Sequence, residues 1–305
     1  MSDRPIAAEL AAALTSAQLP ALPQSAVRIL EIAKNPDNGP SEYAVPIESD
    51  PGLTGQVLKF VNSSYFGFTR EIANVKLAIT LVGVRTIKNF TLWSAVFSLM
   101  PNPKCGPFDL KSLWQDSLRR GLFARRMGRL LGLKDGEDAF AAALLQDMAV
   151  PLLAREFPEA YREMLGQRDG GRARLSTLEQ ERLGWTHADA AAFMCEHWNL
   201  PNDLADVMQQ HTAIDELLAK TPRPSAEVAV ALSALLPVTV DENWSECWRF
   251  ESCYEKASPD GAPSILEIFS EVDQEFIEFA PVLRMPTPTK TLVEWYQSAT
   301  AVKAS

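Results

Sequence analysis

Residues 49–67 read SDPGLTGQVLKFVNSSYFG. Asp50 followed by Pro51 is a helix start. The aspartate can accept a hydrogen bond from a free first-turn amide, and proline suits the first helical position because its missing N–H would have no partner there. From that point Leu53, Val57, Phe60 and Val61 recur at spacings of three and four, which gives one apolar stripe. The run predicts a helix over 52–62. Asn62-Ser63-Ser64 reads as a hydrogen-bonded helix end, and Gly67 ends the short segment after it.

The helical period continues in both directions. Upstream, Ala26, Ile29, Leu30, Ile32 and Ala33 predict a helix over 25–33, with Pro23 as its start signal and 35–40 (NPDNGP) as a turn. Downstream, helices are expected over 74–82 and 84–99, with Gly83 between them. Pro101, Pro103, Gly106 and Pro107 mark a junction. A helix over 113–131 follows, capped by Asp109 or Ser112 and closed by Gly132. Helices are then expected over 136–148, broken by Pro151, and over 158–167, 177–183 and 186–198. A last segment runs to His211. No stretch alternates as a strand does, and 238–240 is too short to matter, so the fold class is all-α.

On a helical wheel of 113–131, Arg119, Arg125, Arg126 and Arg129 share one arc, while Ser117, Gly121, Ala124 and Gly128 share the other. The small residues predict close packing against a neighbouring helix. The arginine arc reads as a solvated face, with an anion contact as the alternative.

The 305 residues are 47% hydrophobic and 22% charged, which is ample for a core and too apolar for disorder. The four cysteines form no C-x-x-C pair, so neither a zinc knuckle nor a redox motif is supported. No apolar run is long enough to span a membrane, and the N-terminus lacks the pattern of a signal peptide, so a cytoplasmic location is expected. The net charge of −10 argues against nucleic-acid binding, which depends on neutralising phosphates. Most of that charge, −7, lies in 221–305. There Ser264–Phe279 pairs an apolar stripe of Ile265, Ile268, Phe269, Val272, Phe276 and Phe279 with a carboxylate-rich back. Its stripe is expected to be buried against the same chain, because a free tail bearing it would aggregate.

Metal-dependent phosphate-ester hydrolases need several His and Asp ligands around one or two divalent cations. This chain has only His187, His197 and His211. Gln146-Asp147 closes an apolar helix, Asp116 lies beside the apolar arc of the helix before it, and His187 and His211 sit at helix ends. Each of these residues also has a structural reading. His187 would be satisfied by a carbonyl, His211 would be favoured by a helix dipole, and Asp147 would bond free amides at the Pro151 break.

Several blocks resemble the HDOD family, a catalytically degenerate branch of the HD phosphohydrolases. The blocks are LPALPQSAVRILEI (19–32), SDPGLTGQVLKFVNSSYFG (49–67), IANVKLAITLVGVRTIKNFTL (72–92), WQDS (114–117), ALLQDM (143–148), His187 and WNLP (198–201). The resemblance implies a multi-helix fold with an N-terminal HDOD subdomain over 1–107, an HD-like subdomain over 108–213 and an acidic helical extension over 214–305. It also implies altered HD-site positions. Asp116 stands where active HD enzymes have histidine, Gln146-Asp147 where they have His-Asp, and Gln210-His211 where they commonly have His-His. Glutamine is a weak metal ligand. No cofactor or metal is therefore expected. A divalent ion on Asp116, Asp147, His187 and His211 is the alternative.

The resemblance implies a non-catalytic signal-transduction or regulatory protein. Its expected partners are signalling proteins, among them enzymes of cyclic-di-GMP or components of two-component systems, with no nucleic acid and no membrane. Two alternatives stand beside it: a metal-dependent phosphohydrolase with an altered site, and a nucleotide-sensing module gripping phosphate through Arg119, Arg125, Arg126 or Arg129.

Overall fold

A computed structural model describes residues 8–14, 19–134, 136–223, 225–281, 283 and 285–303. Regular structure among them is entirely helical. In chain order the helices are α1 (Ala8–Ala13), α2 (Gln24–Ala33), α3 (Pro40–Glu48), α4 (Pro51–Val61), α5 (Val75–Val82), α6 (Val84–Leu99), α7 (Leu110–Leu130), α8 (Glu137–Leu145) and α9 (Val150–Glu156). They continue as α10 (Pro158–Gln167), α11 (Leu175–Leu183), α12 (His187–His197), α13 (Asn202–Gln209), α14 (Ile214–Ala219), α15 (Ser225–Ser233), α16 (Cys247–Ala257), α17 (Ile265–Phe279) and α18 (Leu292–Lys303). No helix among the described residues is long and apolar enough to cross a membrane.

The chain divides into two compact units. The smaller comprises 21–99 and 274–287. Its start signals work as the sequence predicts: Asp50 accepts from Leu53 N at 3.0 Å and from Ser25 Oγ at 2.9 Å, and Asn74 caps α5 through Leu77 N at 2.8 Å. Asn62 ends α4 by donating to the carbonyls of Leu58 and Ile72 and accepting from Ile72 N, which ties the following loop back to the helix. Ile29, Ile47, Val57, Val61, Ile79 and Ile87 fill the core. Phe60 stacks on Phe90 at 4.1 Å between ring centres and meets Phe279 at 5.4 Å.

The larger unit comprises 1–20, 100–273 and 288–305. Here α7 packs against α8 and α15. The small-residue arc of α7 permits this. A Cβ on Gly121 would lie 3.2 Å from the Phe140 ring, and Gly136, at φ +72°, approaches the Arg125 carbonyl so closely that a Cβ would stand 2.3 Å from it. Arg119 and Arg125 correct the expectation of a solvated face, whereas Arg126 is half-buried and Arg129 is exposed. Arg119 and Arg125 are each 2% exposed. Arg119 donates to the Lys290 carbonyl, Arg125 lies 3.6 Å from Glu137 and 4.9 Å from the Phe140 ring centre, and Arg126 pairs with Glu271. Length explains it, since the arginine stems lie along apolar surface while their heads reach acceptors beyond α7.

Pro151 is a second correction. It does not merely break the helix before it. It occupies the first turn of α9, where no N–H is needed. The apolar stripe of α17 is buried as expected: Phe269 is fully buried and meets the rings of Phe123, Phe250, Trp244 and Tyr296.

Candidate functional site

The larger unit brings three of the sequence-marked residues together. Asp147 lies just past the end of α8, His187 is the first residue of α12, and His211 sits in a single 3₁₀ turn after α13. One ligand atom from each lies within 4.8 Å of the others. His187 Nε2 is 3.1 Å from His211 Nε2 and 3.3 Å from Asp147 Oδ1, and His211 Nε2 is 3.9 Å from the same oxygen.

The outer ring nitrogens are held from behind. His187 Nδ1 donates to Glu179 Oε2 at 2.6 Å, and His211 Nδ1 donates to the Met208 carbonyl at 2.6 Å. Both bonds turn Nε2 toward the shared centre. Glu179 is fully buried and also accepts from the His187 amide at 2.8 Å and from the Tyr161 hydroxyl at 2.6 Å. These contacts replace the structural roles read from sequence. His187 bonds a carboxylate and not a carbonyl, and Asp147 pairs with Arg120 and not with amides near Pro151.

The charges follow from this packing. Burial opposes an imidazolium at His187, but Glu179 and Asp147 outweigh it and push the group up to about 10. Burial, joined by the charge of His187, drives His211 down to about 3, so it is neutral and no dipole-stabilised cation. Burial would also raise Asp147. The guanidinium of Arg120 and the hydrogen bond from His187 overcome that and hold the carboxyl well below the usual range.

Asp116 stands apart from the cluster. Its carboxylate accepts from Thr239 N at 3.0 Å and from Thr239 Oγ1 at 2.5 Å, and burial lifts it to about 6. Gln146 is fully buried, and neither atom of its amide has a hydrogen-bond partner among the described residues. Gln210 donates to the Asp206 carbonyl and accepts from Lys220. His197 is exposed.

A cavity of about 200 Å³ opens beside the cluster and is lined by Asp116, Arg120, Asp147, His187 and His211 together with Arg168, Arg174 and apolar side chains. None of Arg119, Arg125, Arg126 and Arg129 lines it. Sequence reading passed over Arg120 and Glu179. Arg120 lies four residues after Asp116 on α7, the spacing at which opposite charges share a helix face. Glu179 lies four residues after the buried Leu175 on α11, so its carboxylate falls on an inward face.

The donor set suits one divalent cation. Asp147 Oδ1, His187 Nε2 and His211 Nε2 would hold it, two imidazoles and a carboxylate being a set that first-row metals favour. The other oxygen of Asp147 belongs to Arg120.

Comparison with known proteins settles the family. The model of the HDOD domain matches residues 19–214. The chain belongs to the HDOD family. A candidate phosphohydrolase from Shewanella amazonensis SB2B has a similar structure, with a TM-score of 0.68 at 19% identity over 88% of this chain and 96% of that one. An HDOD domain protein of unknown function from Geobacter sulfurreducens superposes with a TM-score of 0.62 at 18% identity over 97% of this chain and 93% of that one. A candidate signal transduction protein from Marinobacter aquaeolei VT8 gives 0.62 at 20% identity, covering 88% of this chain and 57% of that one. At these identities the likeness shows the fold. Among curated proteins, one from Treponema pallidum is 25% identical over 197 residues, and the match spans 63% of this chain and 37% of that protein.

Proposed function

We propose that this HDOD protein is a non-catalytic signal-transduction module whose HD-like half keeps room for one cation and has lost two-metal phosphodiester hydrolysis. The observation that carries this reading is the pairing of Arg120 with Asp147. A carboxylate that bridges two cations needs one oxygen for each. Here one oxygen faces the histidine pair and a guanidinium holds the other. A hydrolytic pair of cations about 3.5–4 Å apart also needs more ligands than three. Gln146 supplies only a neutral amide, and Asp116 is engaged by Thr239.

When bound, one cation would act as a fixed positive charge at the floor of the cavity. Glu179 and the Met208 carbonyl keep the two imidazoles aimed, and Arg120 holds Asp147 ionised. The output of such a module is contact with other signalling proteins, as the family resemblance implies. Against nucleotide sensing through the arginine arc, Arg119, Arg125 and Arg126 are engaged elsewhere and Arg129 lies outside the cavity.

Cation stoichiometry tests the one-cation site. Native mass spectrometry of the full chain titrated with Mn²⁺ is expected to show one ion bound, and none after His187→Ala. A second tightly held ion would overturn the one-cation reading. Affinity capture from the source cell tests the signalling half, and a capture returning no partner counts against it.

A further inference from the structure

The cavity of about 200 Å³ is smaller than the roughly 300–1,000 Å³ of sites that take drug-sized ligands. Its occupant is therefore a small molecule, and a dinucleotide is too large. Phe108, Leu113, Val150 and Leu236 give it apolar walls. The carboxylates facing it are Asp109, Asp116, Asp147, Asp241 and Glu246, and the guanidinium groups are Arg120, Arg168 and Arg174. Arg168 pairs with Asp241, and Arg174 lies 3.4 Å from Glu246.

Arg120 is different. Its residue is 7% exposed, and Asp147 is its one hydrogen-bond partner among the described residues. A guanidinium carries five N–H donors, and Arg120 gives Nη1 to Asp147 while Nη2 has no partner among the described residues. Burying a charged group with unused donors is costly, which points to an acceptor that completes the site.

We propose that Arg120, together with one cation on Asp147, His187 and His211, forms a receptor for a small amphipathic oxyanion: a carboxylate or phosphoryl group on an apolar body. This rests on the one-cation reading above. Without a cation, five carboxylates face three guanidinium groups, so an incoming anion gains little. A divalent cation held by three protein ligands concentrates positive charge at the cavity floor and leaves positions open for an oxygen of the anion. Arg120 then offers the donors of Nη2 to an oxygen of the anion, and the apolar walls take the body of the ligand.

Isothermal titration of the full chain with phenylphosphonate and with benzoate tests the proposal and separates its two sources. With one equivalent of Mn²⁺, at least one probe is expected to bind, at least about tenfold more tightly than to protein held in EDTA. Binding of phenylphosphonate alone assigns a phosphoryl group, and of benzoate alone a carboxylate. Arg120→Gln, measured at Mn²⁺ concentrations that saturate the variant, is expected to weaken the probe at least about tenfold. Leu113→Trp, which fills the cavity and leaves every charge in place, is expected to abolish probe binding. Neither probe binding, equal binding with Mn²⁺ and with EDTA, or unchanged binding by the Leu113 variant overturns the proposal. The wild-type comparison and the Leu113 variant decide the matter even where Arg120→Gln fails to fold. Turnover of bis(p-nitrophenyl) phosphate would break the non-catalytic reading and leave the receptor standing. Absence of probe binding would do the reverse.

Discussion

Replacing Glu179 with alanine removes the acceptor of three buried donors at once: the Tyr161 hydroxyl, the His187 amide and His187 Nδ1. A buried donor left unpaired costs about 1–3 kcal/mol. Three of them set an upper range near 9 kcal/mol, but two compensations reduce it. The Tyr161 hydroxyl can rotate, and His187 can shed the proton that Glu179 helps to hold. The expected loss is therefore about 3–6 kcal/mol, a large part of the roughly 5–15 kcal/mol that holds a typical domain folded. Glu179→Gln keeps one acceptor oxygen and removes the charge, so it should cost about half as much. Urea unfolding followed by circular dichroism reads both values from the shift in midpoint at constant slope. The same Ala variant should bind Mn²⁺ about 10–100-fold more weakly, because the His187 ring loses its orientation. A loss below about 1 kcal/mol, or equal losses for Gln and Ala, would refute the idea that Glu179 is the pivot behind the histidine pair.

Asp116 is raised to about 6 by burial, so its contribution to stability is present below its unfolded value near 4 and disappears as pH climbs through 6. Asp116→Asn should flatten that part of the curve, by on the order of 2 kcal/mol between pH 4 and 7, in parallel urea titrations of both proteins. Cation affinity should rise about tenfold per pH unit from 6 to 9, because His187 stays protonated up to about 10 and must give up that proton to ligate. Mn²⁺ titration across that range would show it, and a flat profile would count against the assignment. Phe269→Ala should cost about 3–5 kcal/mol in thermal or urea unfolding, since four aromatic rings close around a fully buried side chain.

Sequence carried the helices wherever a start signal and a stripe coincided. Asp50-Pro51 and Asn74 each cap where their side chains can reach a free amide, and both helices begin there. Other helices were missed, among them α18, whose Thr291 and Glu294 form a capping box. α3 opens with Pro40 inside what reads as a turn and contains Pro46, α15 and α16 lie in a proline-punctuated stretch, and α18 has little amphipathic contrast. In α15 the residues from Val228 to Ser233 are all buried, which erases the one-sided stripe that marks a surface helix.

The site was legible only in part. Asp147, His187 and His211 stood out because the family pattern marks them, and they do converge. Arg120 and Glu179 carry no motif, and their roles arise from contacts between helices far apart in sequence. The arginine arc misled for a related reason. A wheel gives the direction of a side chain and not its reach, and Arg119 finds its acceptor at Lys290, beyond anything α7 itself could suggest.

The most direct measurement is phosphodiester turnover by the full chain loaded with Mn²⁺, Fe²⁺ or Mg²⁺. Cyclic-di-GMP and bis(p-nitrophenyl) phosphate would serve as substrates, with Asp147→Ala as the control. Because Arg120 occupies the oxygen of Asp147 that a second cation would require, wild type and control should be indistinguishable. Metal-dependent turnover in wild type that Asp147→Ala abolishes would contradict the account.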